Sequence, residues 1–334
     1  MALCRDSEVV DLHLDTFIPH RLWGYDWFRR HKGGPLGRAF FGHMDWPRLV
    51  DGGLSGGMWS ITTNPFRRAS SRWTLFQHNL KRLRGLIEGS EGRMQLVRTH
   101  SEYKAAREAG AHAAMIAIQG GNALDAAPRG VASIEDDCVI RITLVHLTNA
   151  SIGATNSPLH HLRGAKGLAL DGLRFVERCN DRRVFVDLAH IHETAFWDAV
   201  EVHDASQPLI CTHAGVDGVR PHWRNLTDAQ CRAIGETGGV IGIIFQADFL
   251  ARPGGPRDVH MVLEHLEHVI DVAGEGAAAI GSDFDGAIIP PMDLSGGDTY
   301  PVVVQAMLDR DWTDDRIRAV LGENFLASFA RLRP

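Results

Sequence analysis

The chain lacks several features that would place a protein in a class at once. Its five cysteines are scattered and form no C-x-x-C pair, which argues against a disulfide frame and favours reduced thiols in the cytoplasm. No run of about 18 apolar residues occurs, so we expect no membrane-spanning helix. The net charge is -6 and Lys and Arg do not cluster, so we expect neither nucleic acid nor an anionic membrane as a partner.

The two ends of the sequence show no targeting or anchoring signal. The first residues contain no apolar segment of the kind found in secretory signals, and the C-terminal tail is too short and too charged for a lipid anchor. There is also no short-period repeat and no low-complexity tract. We therefore expect a cytoplasmic protein.

Short apolar runs alternate with longer helical stretches along the whole chain. With 334 residues, 44% of them hydrophobic, the chain can bury one large core, and the alternation predicts a parallel sheet with crossover helices. Eight apolar runs, without a G-x-G-x-x-G motif after the first, favour a single (β/α)8 TIM barrel domain over residues 1–334; an open Rossmann sheet is the alternative. The eight predicted strands are 9–15, 57–62, 114–119, 139–144, 184–188, 209–212, 240–245 and 278–283.

Helical periodicity fills most of the connections between these runs. Pro256 is expected in the first turn of one helix, Thr227 starts another, and Thr313 is expected to cap one of two C-terminal helices over 312–332. The long first connection, 16–56, is rich in Trp and Phe, which predicts a substrate wall or a subunit contact. The predicted helices are 71–89, 168–180, 193–200, 227–237 and 256–273.

The most informative stretch is 9–16, an apolar strand that ends in a His-x-Asp pair. Residues two apart in a strand point to the same side, so His13 and Asp15 project together as an imidazole and a carboxylate. That arrangement is either a metal-ligand pair or a buried His bonded near an Asp. Histidine alone is not diagnostic, because many of the 18 in the chain, His265 among them, are expected on helix surfaces.

Polar residues also follow the ends of several later strands. In a β/α barrel the carboxyl ends of the strands meet at one face, where sites form. Five such residues at four strand ends are hard to explain by packing, because buried polar groups need partners. They predict a metal-dependent hydrolase, against the alternative of a polar pocket floor without an ion. The five are His13, Asp15, His190, His213 and Asp283.

The residue types in this ring define the chemistry that we expect. Imidazole nitrogens and carboxylates suit Zn²⁺ or a similar divalent ion, which lowers the pKa of a bound water and makes a hydroxide nucleophile. Asp283 would take the proton from that water and pass it to the leaving amine. His146 would donate to the developing oxyanion, or else bond to the barrel rim. Arg224, with Arg220 as its nearest rival, would hold a substrate carboxylate through two hydrogen bonds.

Seven segments, in order along nearly the whole chain, give the sequence a specific likeness. They are 11–15, 47–59, 118–121, 144–149, 187–190, 212–213 and 281–286. At these residues the chain resembles the membrane (renal-type) dipeptidase family, peptidase family M19, within the amidohydrolase superfamily. The resemblance implies a barrel with a binuclear zinc site that hydrolyses dipeptides, often with tolerance for a D-residue at the C-terminal position. It also suggests a homodimer through the aromatic first connection.

The resemblance further implies a role for each matching residue. One ion would be held by the pair on the first strand and the other by two later histidines, with a separate catalytic carboxylate. The implied ligands are His13 and Asp15 for one ion and His190 and His213 for the other, the implied catalytic residue is Asp283, and the implied substrate-binding residues are His146 and Arg224. Asn149, which follows the fourth predicted strand, is a further substrate-binding candidate.

One position departs from the family pattern. Members with two zincs have Glu-Gly-Gly-His where residues 119–122 of this chain read Gln-Gly-Gly-Asn, and that Glu bridges both ions. The neutral amide of Gln119 cannot bridge as a carboxylate does, and two adjacent cations repel. We therefore expect one zinc or other divalent ion, or none, with Gln119 a doubtful ligand. His192 is a replacement ligand or, on the plainer interpretation, a residue on the surface or behind the ligands.

Three hypotheses of function follow from these observations. The first is a dipeptidase-like metallohydrolase that acts on a dipeptide or a related amino-acid conjugate with one ion. The second is an enzyme of the same fold with a different amide or lactone substrate. The third is an inactive binding protein that kept the pocket. A pocket without an ion has no evident need for all five ring residues, which favours the first two.

Overall fold

The computed structural model describes residues 2–32, 39–158 and 166–334. Residues 33–38 of the predicted aromatic connection lie outside the described residues. Within the described ranges the chain has nine strands. They are β1 (Val10–Leu14), β2 (Gly56–Thr62), β3 (Met94–Leu96), β4 (His112–Gln119), β5 (Val139–Thr143), β6 (Phe185–Asp187), β7 (Cys211–Ala214), β8 (Ile241–Ile243) and β9 (Ala278–Ile280).

The eight predicted strands are all present, and their ends differ from the prediction by at most three residues. The prediction missed β3, which has only three residues and contains no apolar run. β3 pairs in parallel with β4, with Met94 opposite His112. Pairing with a longer buried strand, rather than its own composition, makes this segment a strand.

The chain forms two compact units. The first unit consists of Met1–Trp59 and Thr212–Ala327, and the second of Ser60–Cys211 and Ser328–Pro334.

In the first unit, the carboxyl ends of β1 and β9 lie side by side. β1 pairs in parallel with the first half of β2, where Val10 lies opposite Gly56. A second sheet has the strand order β9–β8–β7, in which β8 and β9 run parallel. A parallel bridge between Leu14 and Phe284 then joins the end of β1 to the segment after β9. Residues just after these two strands are therefore neighbours, as expected for a site at the ends of parallel strands.

In the second unit, β4 lies between β3 and β5, and β6 pairs with β5, all in parallel. Every residue of β4, β5 and β6 is buried. Continuous burial is typical of a parallel sheet that is covered on both faces. The pairing places Gln119 opposite Thr143, and Thr143 opposite Asp187, so three polar residues lie in one row across the sheet.

Most strands are followed by helices, as the alternating pattern predicts. The predicted helices at 71–89, 168–180, 193–200, 227–237 and 256–273 correspond to α4, α6, α7, α8 and α10. The helices are α1 (Ala2–Arg5), α2 (Phe17–Trp23), α3 (Trp46–Asp51), α4 (Ala69–Glu88), α5 (His100–Glu108), α6 (Leu170–Asp181), α7 (Glu193–Val202), α8 (Asp228–Glu236), α9 (Ala247–Leu250), α10 (Val259–Ala273), α11 (Tyr300–Leu308), α12 (Asp314–Arg318) and α13 (Asn324–Leu332).

Helix starts agree with the sequence at two positions and differ at a third. Thr227 caps α8, in a capping box with Gln230, and Thr313 caps α12. The prediction that Pro256 lies in a first turn is wrong, because α10 begins at Val259. The side chain of Asp258 accepts from the amide of His260 and caps α10 there.

The expectation that His265 lies on a helix surface is also wrong. Its side chain is fully buried on the inner face of α10. Leu266, Val262 and Val269 on the same helix are buried as well, so the helix turns this part of its surface toward the core.

The aromatic first connection is partly helical, since it contains α2 and α3. Trp27 is buried and packs on Trp59 of β2, with ring centroids 4.4 Å apart. Trp23, by contrast, is half-exposed and lies against Phe41. Part of the aromatic content thus belongs to the core of the first unit and part to its surface.

The five cysteines all lie within the described residues. They are buried and form no disulfide.

Near the C-terminus, the buried guanidinium of Arg333 joins several segments of the second unit. It donates from Nε to the carbonyl of Arg183 (2.5 Å), from Nη1 to Asp137 (2.8 Å) and from Nη2 to Val139 (3.2 Å). Burial lowers the pKa of this guanidinium to about 10, which still leaves it charged at neutral pH. The dipoles of these carbonyls stabilise the positive charge.

We predict that Arg333→Ala lowers the free energy of unfolding by about 3 kcal/mol, because it leaves several buried carbonyls without donors. Urea denaturation measures this. Arg331→Ala, at an exposed neighbouring position, is the matched control and should change it by no more than about 0.5 kcal/mol. Equal effects of the two substitutions would contradict this account.

Candidate active site

Three predicted site residues of the first unit form a compact cluster. The potential ligand atoms of His13, His213 and Asp283 all lie within 4.8 Å of one another, and all three residues are buried. Asp15 adjoins them, with its Oδ2 3.7 Å from His13 Nε2. The residues come from the ends of β1, β7 and β9, the positions from which the sequence predicted a ring.

The donor set of this cluster fits a divalent cation. His13 Nε2 lies between two carboxylates, 3.7 Å from Asp15 and 3.6 Å from Asp283. The other carboxylate oxygen of Asp15, Oδ1, is buried and has no hydrogen-bond partner among the described residues. A buried carboxylate oxygen without a donor is costly, and a cation removes that cost. Two imidazoles and two carboxylates are a ligand set suited to Zn²⁺.

The two imidazole rings of the cluster lie face to face. The ring centroids of His13 and His213 are 3.8 Å apart, with a tilt of 30°. Nδ1 of His213 lies 2.8 Å from the hydroxyl oxygen of Thr212. This contact fixes the orientation of the ring on the Nδ1 side.

Asp283 is held in an unusual backbone conformation. Its φ of 62° is in the left-handed region, which a residue other than glycine adopts at a cost. Its amide donates to the carbonyl of His13 (3.1 Å), which compensates part of that cost. A Cβ at Gly286 would lie 2.1 Å from Asp283 Oδ1, so only glycine leaves room for this carboxylate.

A further carboxylate, Asp11, aligns β1 with the segment after β9. It accepts from the amide of His13 (3.0 Å), from the amide and hydroxyl of Ser282 (2.9 and 2.5 Å) and from the hydroxyl of Tyr300 (2.6 Å). Burial raises the pKa of the Asp11 carboxyl, and the Ser282 and Tyr300 hydroxyls oppose that shift. No motif in the sequence predicts this role of Asp11, and a charge inside an apolar strand is the only signal of it.

Asp285 holds the first connection against the segment after β9. Its carboxylate accepts from the amides of Gly42 (2.6 Å), His43 (2.9 Å) and Met44 (3.3 Å) and from the hydroxyl of Thr16 (2.7 Å). Three consecutive amides that converge on one carboxylate form an anion-binding turn. The role of Asp285 is not predictable from the sequence, because its partners are more than 240 positions away.

In the second unit, Gln119 lies between Thr62 and His190. The Thr62 hydroxyl donates to Gln119 Oε1 (2.9 Å), and Gln119 Nε2 lies 3.3 Å from His190 Nε2. With the amide nitrogen as donor, His190 Nε2 is the acceptor of this bond. His146 packs edge-on against His190, with ring centroids 4.6 Å apart. His190 also has a positive φ, 65°.

A buried ion pair lies on the neighbouring strands of the same sheet. Arg141 Nη1 is 3.2 Å from Asp187 Oδ2 and donates to the Thr143 hydroxyl (2.6 Å), which in turn donates to Asp187 (2.6 Å). Asp187 Oδ1 accepts from the amide of Ala189, next to His190. The pair orders the end of β6, and the charge of Arg141 within the apolar strand 139–143 was its only signal in the sequence.

The remaining predicted residues have diverse surroundings. Asn149 is buried and accepts from the Thr155 amide (3.0 Å). His192 caps α7 by accepting from the Thr194 amide, which agrees with the plainer interpretation of this residue. Arg224 is buried and donates from Nη2 to the carbonyl of His213 (2.7 Å).

Two buried polar side chains join the loop after β7 to α9. Asn225 accepts from the Gly215 amide (3.1 Å) and donates to the Phe249 carbonyl (2.9 Å). His265 Nδ1 accepts from the Val216 amide (2.9 Å), and its Nε2 lies 3.1 Å from the carbonyl of Leu250. These contacts require a neutral ring, and burial lowers the pKa of His265 to about 4.

The alternating parallel strands and the cluster at their ends define an α/β barrel of the metal-dependent hydrolase type. The chain is similar to dipeptidase AC, a metallopeptidase, with 26% identity, a TM-score of 0.85 and coverage of 97% of this chain and 98% of that one. It is similar to a Rhodobacter sphaeroides metallopeptidase, with 25% identity, a TM-score of 0.84 and coverage of 98% and 99%. The likeness to the probable dipeptidase PvdM of Pseudomonas aeruginosa, at 15% identity and a TM-score of 0.86 over 99% and 96%, shows the fold alone.

The particular family follows from the sequence match. The membrane dipeptidase family, peptidase family M19, matches residues 1–331, and the chain belongs to this family of peptidase hydrolases. A Klebsiella pneumoniae protein, described as an uncharacterized protein in the pqqA 5′ region, is 32% identical over 220 residues, 62% of this chain and 78% of that protein. Among the helices of the described chain, none has the length and apolar character needed to cross a bilayer.

We predict that His265 makes stability depend on pH. The unfolded chain protonates this histidine near pH 6.5, whereas the folded chain does so only near pH 4. The contribution of His265 to the free energy of unfolding is therefore complete above about pH 6.5 and is lost as the pH falls through about 4. The whole loss is about 3 kcal/mol.

Urea unfolding at several pH values between 7.5 and 4.5 measures this dependence. His265→Asn should reduce the slope of the unfolding free energy against pH by an amount that corresponds to up to about one bound proton. An unaltered slope in His265→Asn would show that the buried ring does not titrate as described.

Proposed function

We propose that the chain is a metal-dependent, dipeptidase-like hydrolase that cleaves the amide bond of a dipeptide or a related amino-acid conjugate. The observation that carries the proposal is the convergence of His13, His213 and Asp283 within 4.8 Å in a chain of this family. Asp15 completes the proposed ligand set, and zinc is the proposed ion, with other divalent ions as substitutes. The Rhodobacter sphaeroides relative is liganded with a phosphinate mimic of L-Ala-D-Ala, which supports a dipeptide as substrate.

The residues of the first unit have separate roles in this proposal. A bound divalent ion supplies Lewis acidity and lowers the pKa of a coordinated water. Asp283 accepts the proton of the attacking water at a carboxylate oxygen and returns it to the leaving nitrogen. Its strained backbone and the close approach of Gly286 hold that carboxylate in one position. Arg224, bonded to the carbonyl of His213, holds the substrate carboxylate.

The second unit supports the proposal of one ion rather than two. The amide of Gln119 already donates to His190 Nε2, the nitrogen lone pair that a metal would need. A carboxylate at position 119 would instead offer a negative charge and no donor. The roles of His146, His190 and Asn149 in substrate or metal binding stay predictions from the family resemblance.

Location and assembly remain parts of the same proposal. Five buried thiols without a disulfide support a reducing compartment, the cytoplasm. The half-exposed Trp23, next to Phe41, is the described part of the first connection that a homodimer contact would use.

We predict that protein freed of metal by a chelator regains dipeptide hydrolysis when zinc, manganese or cobalt is added.

Asp283→Asn should lower kcat by at least about a hundredfold, because the proton acceptor is lost. Release of free amino acids measures the rate. Asp271→Asn, at an exposed position on α10, is the control and should be fully active. No hydrolysis of any dipeptide with any of these ions would contradict the proposed function.

We predict that Gln119→Glu raises the metal content from about one toward two ions per chain, because the new carboxylate replaces an N–H donor beside His190 with a negatively charged ligand. Inductively coupled plasma analysis of protein purified without chelator measures the content. Gln77→Glu, at an exposed position on α4, is the matched control. Equal metal content in all three proteins would show that position 119 does not limit the number of ions.

A further inference from the structure

Three aromatic rings of the first unit form a surface cluster, which we call the aromatic platform. It consists of His222, Trp223 and Phe249. The ring of His222 stacks on Phe249, with centroids 4.6 Å apart and a tilt of 26°. Trp223 contacts both, with centroids 5.1 Å from His222 and 5.7 Å from Phe249. Trp223 is 43% exposed, so a large part of an indole faces solvent.

The aromatic platform lies at the site end of the strands. His222 and Trp223 belong to the loop that follows β7, the strand that carries His213, and Phe249 belongs to α9, which follows β8. Ile289 extends the apolar surface beyond α9: it is 43% exposed, and its carbonyl accepts from the Ala247 amide (2.9 Å). Exposed apolar side chains thus occur on two of the segments that follow the strands of the cluster, Trp223 after β7 and Ile289 after β9.

Buried polar side chains connect the two segments that carry the platform. The buried Asn225 binds the carbonyls of both Arg220 (2.7 Å) and Phe249 (2.9 Å), so it ties the loop after β7 to α9. The buried His265 makes a second tie between the same two segments, through Val216 and Leu250. Rings fixed in this way lose little entropy when a ligand packs on them, which is a property of binding surfaces.

The platform is uncharged at neutral pH. Burial, together with the nearby charges of Arg220 and Arg224, lowers the pKa of His222, whose Nδ1 lies 3.3 Å from the amide of Arg224. A neutral imidazole stacked on a phenyl ring is an apolar surface that suits an aromatic or branched aliphatic group.

The position of Arg224 identifies what would lie on this surface. Arg224 directly follows Trp223, and its guanidinium donates to the carbonyl of His213. In an amino acid the side chain and the carboxylate are attached to the same carbon. The Arg224 amide lies 3.3 Å from Nδ1 of His222, so the residue that would hold the carboxylate is in contact with the platform. We infer from this contact that the side chain of the bound residue lies on the platform.

We propose that the aromatic platform is a side-chain subsite, and that the carboxylate-bearing residue of the substrate has a bulky apolar side chain. This inference rests on the proposed function, because it uses the carboxylate role of Arg224. It commits the substrate class to dipeptides or amino-acid conjugates that end in an aromatic or branched aliphatic residue. Conjugates that end in glycine or an acidic residue would be poor substrates.

The test is a binding measurement that does not require turnover. Isothermal titration calorimetry with the zinc-loaded protein compares N-acetyl-phenylalanine with N-acetyl-alanine, each as L and D forms. We expect the phenylalanine derivative to bind at least about tenfold more tightly, and Trp223→Ala to remove that difference. Trp223→Phe, which keeps an aromatic ring, should restore most of it.

The control is Trp197→Ala, which removes an indole of similar exposure (39%) from α7 in the second unit and should leave the preference unchanged. A wild-type protein that binds both derivatives equally would overturn the inference. So would a Trp223→Ala variant that keeps the preference.

A parallel assay separates this inference from the proposed function. It measures kcat/KM for Ala-Gly, Ala-Ala, Ala-Leu and Ala-Phe with the wild type, Trp223→Ala and the control Trp197→Ala. A loss of preference in Trp223→Ala that lies mainly in KM supports the subsite. No turnover of any dipeptide, combined with Trp223-dependent binding of N-acetyl-phenylalanine, would reject the hydrolase proposal and keep the subsite.

Discussion

The geometry of the cluster depends on one buried carboxylate, that of Asp11. It accepts from the backbone of its own strand, from Ser282 after β9 and from Tyr300 of α11. A buried carboxylate without these donors would cost several kcal/mol, so the three segments have to assemble around it together. His13 and Asp283 are within two residues of the bonded groups. The bonds that satisfy Asp11 therefore also determine where the imidazole and the second carboxylate lie.

Two kinds of support surround that cluster. On the inside, His13, His213 and Asp283 lie in or just after strands, and local strain at Asp283 is balanced by its bond to the His13 carbonyl and by the space at Gly286. On the outside, Asp285 holds the first connection through three consecutive amides, and Asn225 holds the loop after β7 to α9. In the proposed function the chemistry takes place at the strand ends, whereas the proposed contacts to a substrate side chain lie on loops that buried polar groups keep in place.

In the second unit, one atom of the side chain at position 119 determines whether the surrounding groups need a cation. Gln119 presents an oxygen to the Thr62 hydroxyl and a nitrogen to His190, so both neighbours are satisfied without an ion. A carboxylate in the same place would put a negative oxygen beside an imidazole lone pair, an arrangement that calls for a cation or a proton. This difference of one atom is visible in the sequence, but the bonds that give it meaning are not.

The sequence by itself determined eight of the nine described strands to within three residues, the His13–Asp15 pair and the family, because apolar period and short motifs are local properties of the chain. Tertiary structure alone decided the rest. From the helix alone, His265 is expected on the surface. Its contacts with Val216 and Leu250, from other segments, make it a buried, neutral residue that connects the two. β3 is a strand because β4 lies beside it. Asp11, Asp285 and the aromatic platform act through partners from distant segments of the chain. Contacts between distant segments produce no periodicity or motif that a single sequence would show.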